Sequence, residues 1–279
     1  MPGSLSQYED EEKVASLKSL LEGYGSVLVG ASGGVDSGFL LKAAVDFLET
    51  GEVLAVTAGG AIHPEGELED ARLLARQLGA PWKSLEISYL EDENFRANPE
   101  DRCYHCKKDL FQRLRKVAEK EGLNEVVTGG IKDDLSAHRP GRQAGDELEV
   151  KRPLEEAGLT KEEIRKFGKE IGLPVWDKPS NSCLATRIPF GSEVTKEKLK
   201  AIEKAENYLE EIGFSGFRVR HHDEIARLEL RRGDFKKALE MRERLTERLK
   251  KVGYSYVTLD LEGYRSGSML EAGDEESTH

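Results

Sequence analysis

The chain has 279 residues, of which 34% are charged and 38% hydrophobic, with three cysteines and a formal net charge of −11. That length allows one large domain or two ordinary ones. The acidic balance argues against a general nucleic-acid surface and the odd cysteine count against a disulfide framework, while no apolar run is long enough to span a bilayer. Residues 1–12 are acidic rather than signal-like, so a cytoplasmic protein without a membrane partner is expected.

A first helix is expected around Glu9 to Gly23. Val27–Gly30 then reads as a short strand running into Ser32-Gly33-Gly34-Val35-Asp36-Ser37 and the apolar Phe39-Leu40-Leu41. Strand, glycine turn and helix start in that order make a phosphate cradle. Gly33 and Gly34 let backbone N–H groups converge on an anion, Ser32 and Ser37 add hydroxyl donors, and the helix dipole adds partial positive charge. No lysine closes the loop, which separates it from the G-x-x-x-x-G-K-[ST] motif. It resembles instead the PP-loop of ATP pyrophosphatases, which cleave ATP between its α and β phosphates.

Further strand-like runs follow at Val53–Thr57, Lys83–Ile87 and Glu125–Thr128, separated by helical stretches at Glu67–Leu78 and Lys107–Glu121. This alternation predicts an α/β fold with a doubly wound parallel sheet, in which ligands bind beyond the carboxyl ends of the strands. The loops at Ser32, Ala58-Gly59-Gly60 and Gly129-Gly130 would then share one crevice. Thr160 and Glu163 announce a capping box, and the chain from Gly172 to Gly191 reads as a loop. Beyond it, Leu199, Ile202, Ala205, Leu209 and Ile212 mark one helical face, Phe217–Arg220 and Ala226–Leu230 alternate as strands, and Leu239, Leu245 and Leu249 mark another helix. The expected organisation is a first domain over 1–192 with cysteine-bearing loops, a smaller α+β domain over 193–270, and a disordered tail over 271–279.

Cys103 and Cys106 stand in Arg102-Cys103-Tyr104-His105-Cys106-Lys107, and Cys183 stands alone after an expected fifth strand. Spacing leaves open a redox pair, half of a zinc site completed by His105, His221 or His222, or part of an iron–sulfur site. Lys178 and Arg187 lie close to Cys183 in sequence and would favour its thiolate.

Taken with the glycine loop, Asn98-Pro99, the Cys103 segment, Arg139-Pro140-Gly141 and Ser180-Asn181-Ser182-Cys183-Leu184-Ala185-Thr186-Arg187-Ile188-Pro189 resemble the LarE family. These are the sulfur transferases that make the nickel-pincer nucleotide of lactate racemase, and the resemblance spans about residues 10–270. It implies that ATP, with Mg2+, adenylates a carboxylate of pyridinium-3,5-biscarboxylic acid mononucleotide, after which sulfur replaces AMP to give a thiocarboxylate. It implies catalytic roles for Cys183, Asp36, Ser37, Lys107 and Arg187, and nucleotide contacts from Ser32, Gly33, Gly34, Val35, Asp36, Ser37, Thr57 and Gly129. Members with all three cysteines resemble cluster enzymes, in which Cys103, Cys106 and Cys183 would hold a [4Fe–4S] cluster with one iron open to sulfide from a donor; members with only the counterpart of Cys183 sacrifice its sulfur. A homo-oligomer, a divalent-metal role for Glu206 and Glu229, and a grip on the substrate phosphate by Arg218 and Arg220 are implied as well. The two arginines are two apart on a predicted strand and so share a face. One departure is Thr128-Gly129-Gly130-Ile131, where the family has Asp-Gly-Thr-Asn; the Asn side chain is missing at Ile131, while Asp133 and Asp134 remain. A tRNA thiolase and a nucleotide-binding protein with structural zinc stay open as alternatives.

Overall fold

The structure is a computed structural model that describes residues 2–133, 140–179 and 182–265. The expectations for Asp134, Arg139, Ser180, Asn181 and the 271–279 tail lie outside the described residues. Packing divides the chain into two units. Unit one takes Met1–Gly60, Glu65–Ser88 and Asp101–Asn181, and unit two takes Ala61–Pro64, Tyr89–Glu100 and Ser182–His279.

In chain order, a 3-10 turn at Leu5–Tyr8 leads to α1 (Glu12–Tyr24), β1 (Val27–Gly30), α2 (Val35–Phe47), β2 (Val53–Gly59), α3 (Glu67–Leu78) and β3 (Trp82–Glu86). Next come α4 (Glu93–Arg96), α5 (Arg102–Glu121), β4 (Glu125–Thr128), α6 (Pro140–Glu147), α7 (Pro153–Glu156) and α8 (Lys161–Glu170). The rest is α9 (Lys196–Glu211), β5 (Arg218–His222), β6 (Ile225–Glu229), α10 (Phe235–Glu240), α11 (Arg242–Val252) and β7 (Tyr256–Leu259).

Unit one is built on a parallel sheet in the order β3-β2-β1-β4. Because side chains alternate along a strand, Val27 and Val29 enter a core with Leu17 of α1, Phe39 of α2 and Phe167 of α8. Leu28 enters the opposite core with Phe111 and Leu114 of α5 and Ala144 of α6. Both faces are covered, as the doubly wound expectation requires. β1 pairs with β2 on one side and β4 on the other, so the strand order reverses beside β1, where such sheets open a crevice at their carboxyl ends.

Two local expectations need correction. The Cys103–Cys106 stretch is not a loop: it contains no helix breaker, and α5 begins at Arg102 rather than Lys107. No fifth strand precedes Cys183 among the described residues; Lys151 makes an isolated parallel bridge to Val127, and Pro153, without an N–H to extend a ladder, starts α7 two residues later.

In unit two, β5 pairs antiparallel with β6, and β7 lies parallel on the other side of β6. Val219, Ala226 and Leu228 pack against Leu209 of α9 and Leu245 and Leu249 of α11. The opposite face of this sheet carries Arg218 and Arg220 of β5 and Arg227 and Glu229 of β6, Arg220 facing Arg227 and Arg218 facing Glu229 in register. No helix among the described residues is long and apolar enough to cross a membrane.

Candidate functional site

The glycine loop leaves β1 and turns directly into α2, with Gly34 as the N-cap and Gly33 at a left-handed φ of 72°. Ser32 and Ser37 close it internally: the two hydroxyls are 3.0 Å apart, the Ser32 N–H donates to Ser37 Oγ at 3.2 Å, and Ser37 Oγ donates to the Gly34 carbonyl. Gly129, at the end of β4, comes so close that a Cβ there would lie 2.8 Å from the Ser37 nitrogen. Only a glycine lets the backbone of this loop approach the start of α2. Asp36 points one oxygen at Lys161 and holds the other buried without a hydrogen-bond partner. A turn of backbone donors at a helix N-terminus, beside an under-satisfied carboxylate, fits the phosphates of a nucleotide and a cation that bridges them. Thr57, by contrast, accepts a 2.9 Å hydrogen bond from the Trp82 indole.

Lys161 had no functional signal in the sequence. It is the first residue of α8, and its ammonium lies 2.5 Å from Asp36 Oδ2, 125 positions away along the chain. Its backbone N–H donates to Asp133 Oδ2 at 2.8 Å, and the Lys132 N–H donates to the Leu159 carbonyl, so the loop after β4 and the start of α8 are joined. The expected capping box is present, with Thr160 and Glu163 bonded reciprocally and Glu163 also held by Lys13 of α1.

Cys103 and Cys106 are three apart in the first turn of α5, half-buried and not joined by a disulfide. The spacing puts both thiols on one side of the helix end where negative ligand charge is favoured. Arg102, buried at their side, brings its guanidinium to 3.9 Å from the Cys103 sulfur. Lys107 packs its chain over Gly141 and lies 5.7 Å from the centre of the Phe111 ring. Lys178 pairs with Asp70. No three His, Cys, Asp or Glu side chains among the described residues stand together as a metal-binding group.

Cys183, in unit two, is a half-buried thiol at the N-cap of a 3-10 turn, Leu184–Arg187, within what the sequence suggested was plain loop. Arg187 is almost wholly buried and organises this turn. It binds both oxygens of Glu206 at 3.0 and 2.8 Å and donates to the carbonyls of Ser182 and Cys183. Glu206 also accepts from the Val219 N–H. Glu229 is fully buried between Arg220 and Arg227, so both candidate metal carboxylates are already neutralised by guanidinium groups. Arg220 donates as well to the Thr186 carbonyl at 2.9 Å, tying β5 to the Cys183 turn. Arg218 sits 5.3 Å from the Tyr264 ring centre; burial, then the neighbouring Arg187 charge, pushes its guanidinium below the usual arginine range.

A second residue absent from the sequence-based site is Asn98. It is completely buried at a left-handed φ of 57°. Its side-chain amide donates to the carbonyls of Pro189 at 2.7 Å and Ser192 at 2.9 Å, with a longer contact to that of Ile188, while its backbone carbonyl accepts from the Gly191 N–H. The Val194 N–H donates to the Arg96 carbonyl, and the loop that follows the Cys183 turn is thereby closed onto the chain leading to α5.

A family model described as NAD synthase matches residues 11–128, the stretch that carries the glycine loop and the first four strands. An uncharacterised protein of Synechocystis sp. is 38% identical over 262 residues, covering 93% of this chain and 97% of its own. The pyridinium-3,5-bisthiocarboxylic acid mononucleotide synthase of Lactiplantibacillus plantarum is 37% identical over 260 residues, covering 92% of this chain and 93% of its own. A tRNA-specific 2-thiouridylase of Clostridium acetobutylicum is 28% identical over 226 residues, covering 67% and 63% of the two chains.

Proposed function

Because the chain belongs to the LarE family, we propose that it uses ATP to insert sulfur into a carboxylate of pyridinium-3,5-biscarboxylic acid mononucleotide. The observation that carries this reading is the glycine loop at the point where the sheet's strand order reverses, with Gly129 pressed against the Ser37 nitrogen. Backbone donors there hold the departing phosphates, and Asp36, with one oxygen still to satisfy, takes a share of Mg2+. The substrate carboxylate attacks the α-phosphorus, the α–β bond breaks, and pyrophosphate leaves with the electron pair. Sulfide then adds to the acyl carbon of the adenylate, and AMP departs to leave the thiocarboxylate.

Cys103, Cys106 and Cys183 are the thiols we assign to sulfur delivery. As thiolates they suit a [4Fe–4S] cluster, which when bound would present an open iron to sulfide. The chain's own contribution is to leave the three cysteines outside any disulfide and to fix Cys183 at the start of a turn whose carbonyls are gripped by Arg187. The Arg218 charge, disfavoured by burial and by Arg187, is relieved by an anion, and we assign it to the substrate phosphate.

The test is anaerobic incubation with ATP and the pyridinium dicarboxylate mononucleotide, after iron and sulfide have been quantified. The reading requires AMP and pyrophosphate together with exchange of a substrate oxygen for sulfur. ADP as product overturns adenylation, and loss of the Cys183 sulfur during turnover assigns delivery to sacrifice. Retention of tRNA in a gel shift would favour the thiolase reading that the C. acetobutylicum relative suggests.

A further inference from the structure

The helix that carries Cys103 and Cys106 begins against its local chemistry. Its N-cap, Asp101, turns a carboxylate oxygen to the His105 ring 3.2 Å away and makes no side-chain bond to the helix end, and the first turn holds no acid to complement the macrodipole. Arg102, Lys107 and Lys108 place positive charge in the first two turns instead. A helix end of this kind frays unless something outside it holds it.

The support comes from α6. One oxygen of Glu147 accepts from the Tyr104 hydroxyl at 2.8 Å and from the Lys108 ammonium at 2.9 Å, and the other accepts from the Gln143 amide at 3.0 Å. Lys108 also donates to the Tyr104 hydroxyl at 2.6 Å and lies 5.0 Å from the centre of its ring. Lys108, then Tyr104 and Gln143, hold the Glu147 carboxyl far below the usual carboxylate range, at about 2. The Tyr104 ring packs against the core that Phe111 and Leu114 of α5 share with Ala144 of α6. The far end of this brace is fixed as well: Arg152 pairs with Asp146 at 2.7 Å and donates to the Arg142 carbonyl at 2.9 Å, which ties α6 to the start of α7.

A single exposed ion pair contributes little, but three side chains converging on one carboxylate make a network with one geometry. With about 3.6 residues per turn, Cys103, Cys106 and Lys107 share one face of α5, and Tyr104 and Lys108 lie about a third of a turn round from it. We propose that Glu147 is a positioning residue for sulfur delivery: by holding Tyr104 and Lys108 it sets the rotation of the first turn of α5, and so the direction in which Cys103 and Cys106 present their thiols. The inference rests on the assignment of those thiols to a metal centre and deepens it.

Anaerobic titration of the metal-free full chain with cobalt(II) alone tests this, read by the near-ultraviolet charge-transfer band that thiolate–cobalt bonds give. Glu147→Ala should weaken the binding that produces this band by about tenfold or more, the usual cost of losing an outer-shell partner. Glu147→Gln keeps a carbonyl oxygen for Tyr104 and Lys108 and should stay within about threefold of wild type. Alkylation of Cys183, which stands in the other unit, should keep its wild-type rate in both variants. Undiminished cobalt affinity in Glu147→Ala, an equal loss in Glu147→Ala and Glu147→Gln, or faster alkylation of Cys183 as well overturns the assignment. A wild-type chain that gives no band, or a band that survives Cys103→Ala with Cys106→Ala, refutes instead the placing of these thiols at a metal centre. Should Glu147→Ala fail to fold, Tyr104→Phe, which deletes only the hydroxyl, decides by the same cobalt criterion.

Discussion

Replacing Asn98 separates what its side chain contributes from what its backbone requires. The φ of 57° is readily adopted by glycine, so Asn98→Gly removes the amide and leaves the backbone unstrained. Two short hydrogen bonds, to Pro189 and Ser192, disappear, and their carbonyls lose a donor inside a fully buried site. With about 1 kcal/mol net for each bond and more where the abandoned carbonyl stays dry, the expected loss is about 2–4 kcal/mol. Asn98→Ala loses the same bonds and adds a Cβ in the left-handed region, so it should be worse than Asn98→Gly by about a further 1 kcal/mol. Urea titrations of the three proteins give both differences. Iodoacetamide labelling supplies the local readout: Cys183 should react faster in Asn98→Gly, while Cys103 and Cys106 keep their wild-type rates. A loss below about 1 kcal/mol for Asn98→Gly, or equal acceleration at all three cysteines, would refute the view that Asn98 closes the loop behind Cys183.

Gly129→Ala puts a methyl 2.8 Å from the Ser37 nitrogen, so ATP affinity measured by calorimetry should fall by about tenfold or more while the far-ultraviolet circular dichroism stays native. Arg187→Lys cannot reproduce the bidentate grip on Glu206 and the turn carbonyls, and a destabilisation of about 3 kcal/mol is expected in denaturant titration. His222 is held below the ordinary histidine range by burial and then by Arg227 and Arg220, so the folded state favours its neutral form. The stability this gives is present above the unfolded-state value of about 6.5 and declines as pH falls below it. Thermal midpoints should therefore drop from pH 7 to pH 5.5, and the drop should be smaller in His222→Gln.

The parts of the fold that were legible in the sequence are those whose pattern is local. β1 and β4 have the expected ends because strands buried on both faces read as continuous apolar runs, and α3 does so because its apolar residues recur at helical spacing. The capping box at Thr160 was readable for the same reason. Misreadings arose where distant packing decided the outcome: α5 runs back through the cysteine pair, and Lys151 contributes a single bridge rather than a strand. The site divides similarly. A glycine turn between strand and helix announces itself, but nothing near Lys161 foretells Asp36, and the shared face of Arg218 and Arg220 does not reveal that Glu229 engages Arg220. Asn98 was noticed as part of a motif, yet its function as a donor to carbonyls some ninety residues later depends on a fold that brings them together.

The way the chain alternates between its two units bears on how such a protein is inherited. Ala61–Pro64 and Tyr89–Glu100 belong with the residues from Ser182 onward, although each is flanked by chain of the other unit. A gene fragment beginning at Ser182 would encode the Ile188–Val194 loop without Arg96 and Asn98, the residues that close it. One recombination crossover cannot transplant either unit whole, and a foreign second unit would arrive without its clamp. Exchange between relatives is thus confined to substitutions that respect both halves at once, so the thiol segments and the phosphate loop must diversify as one heritable block.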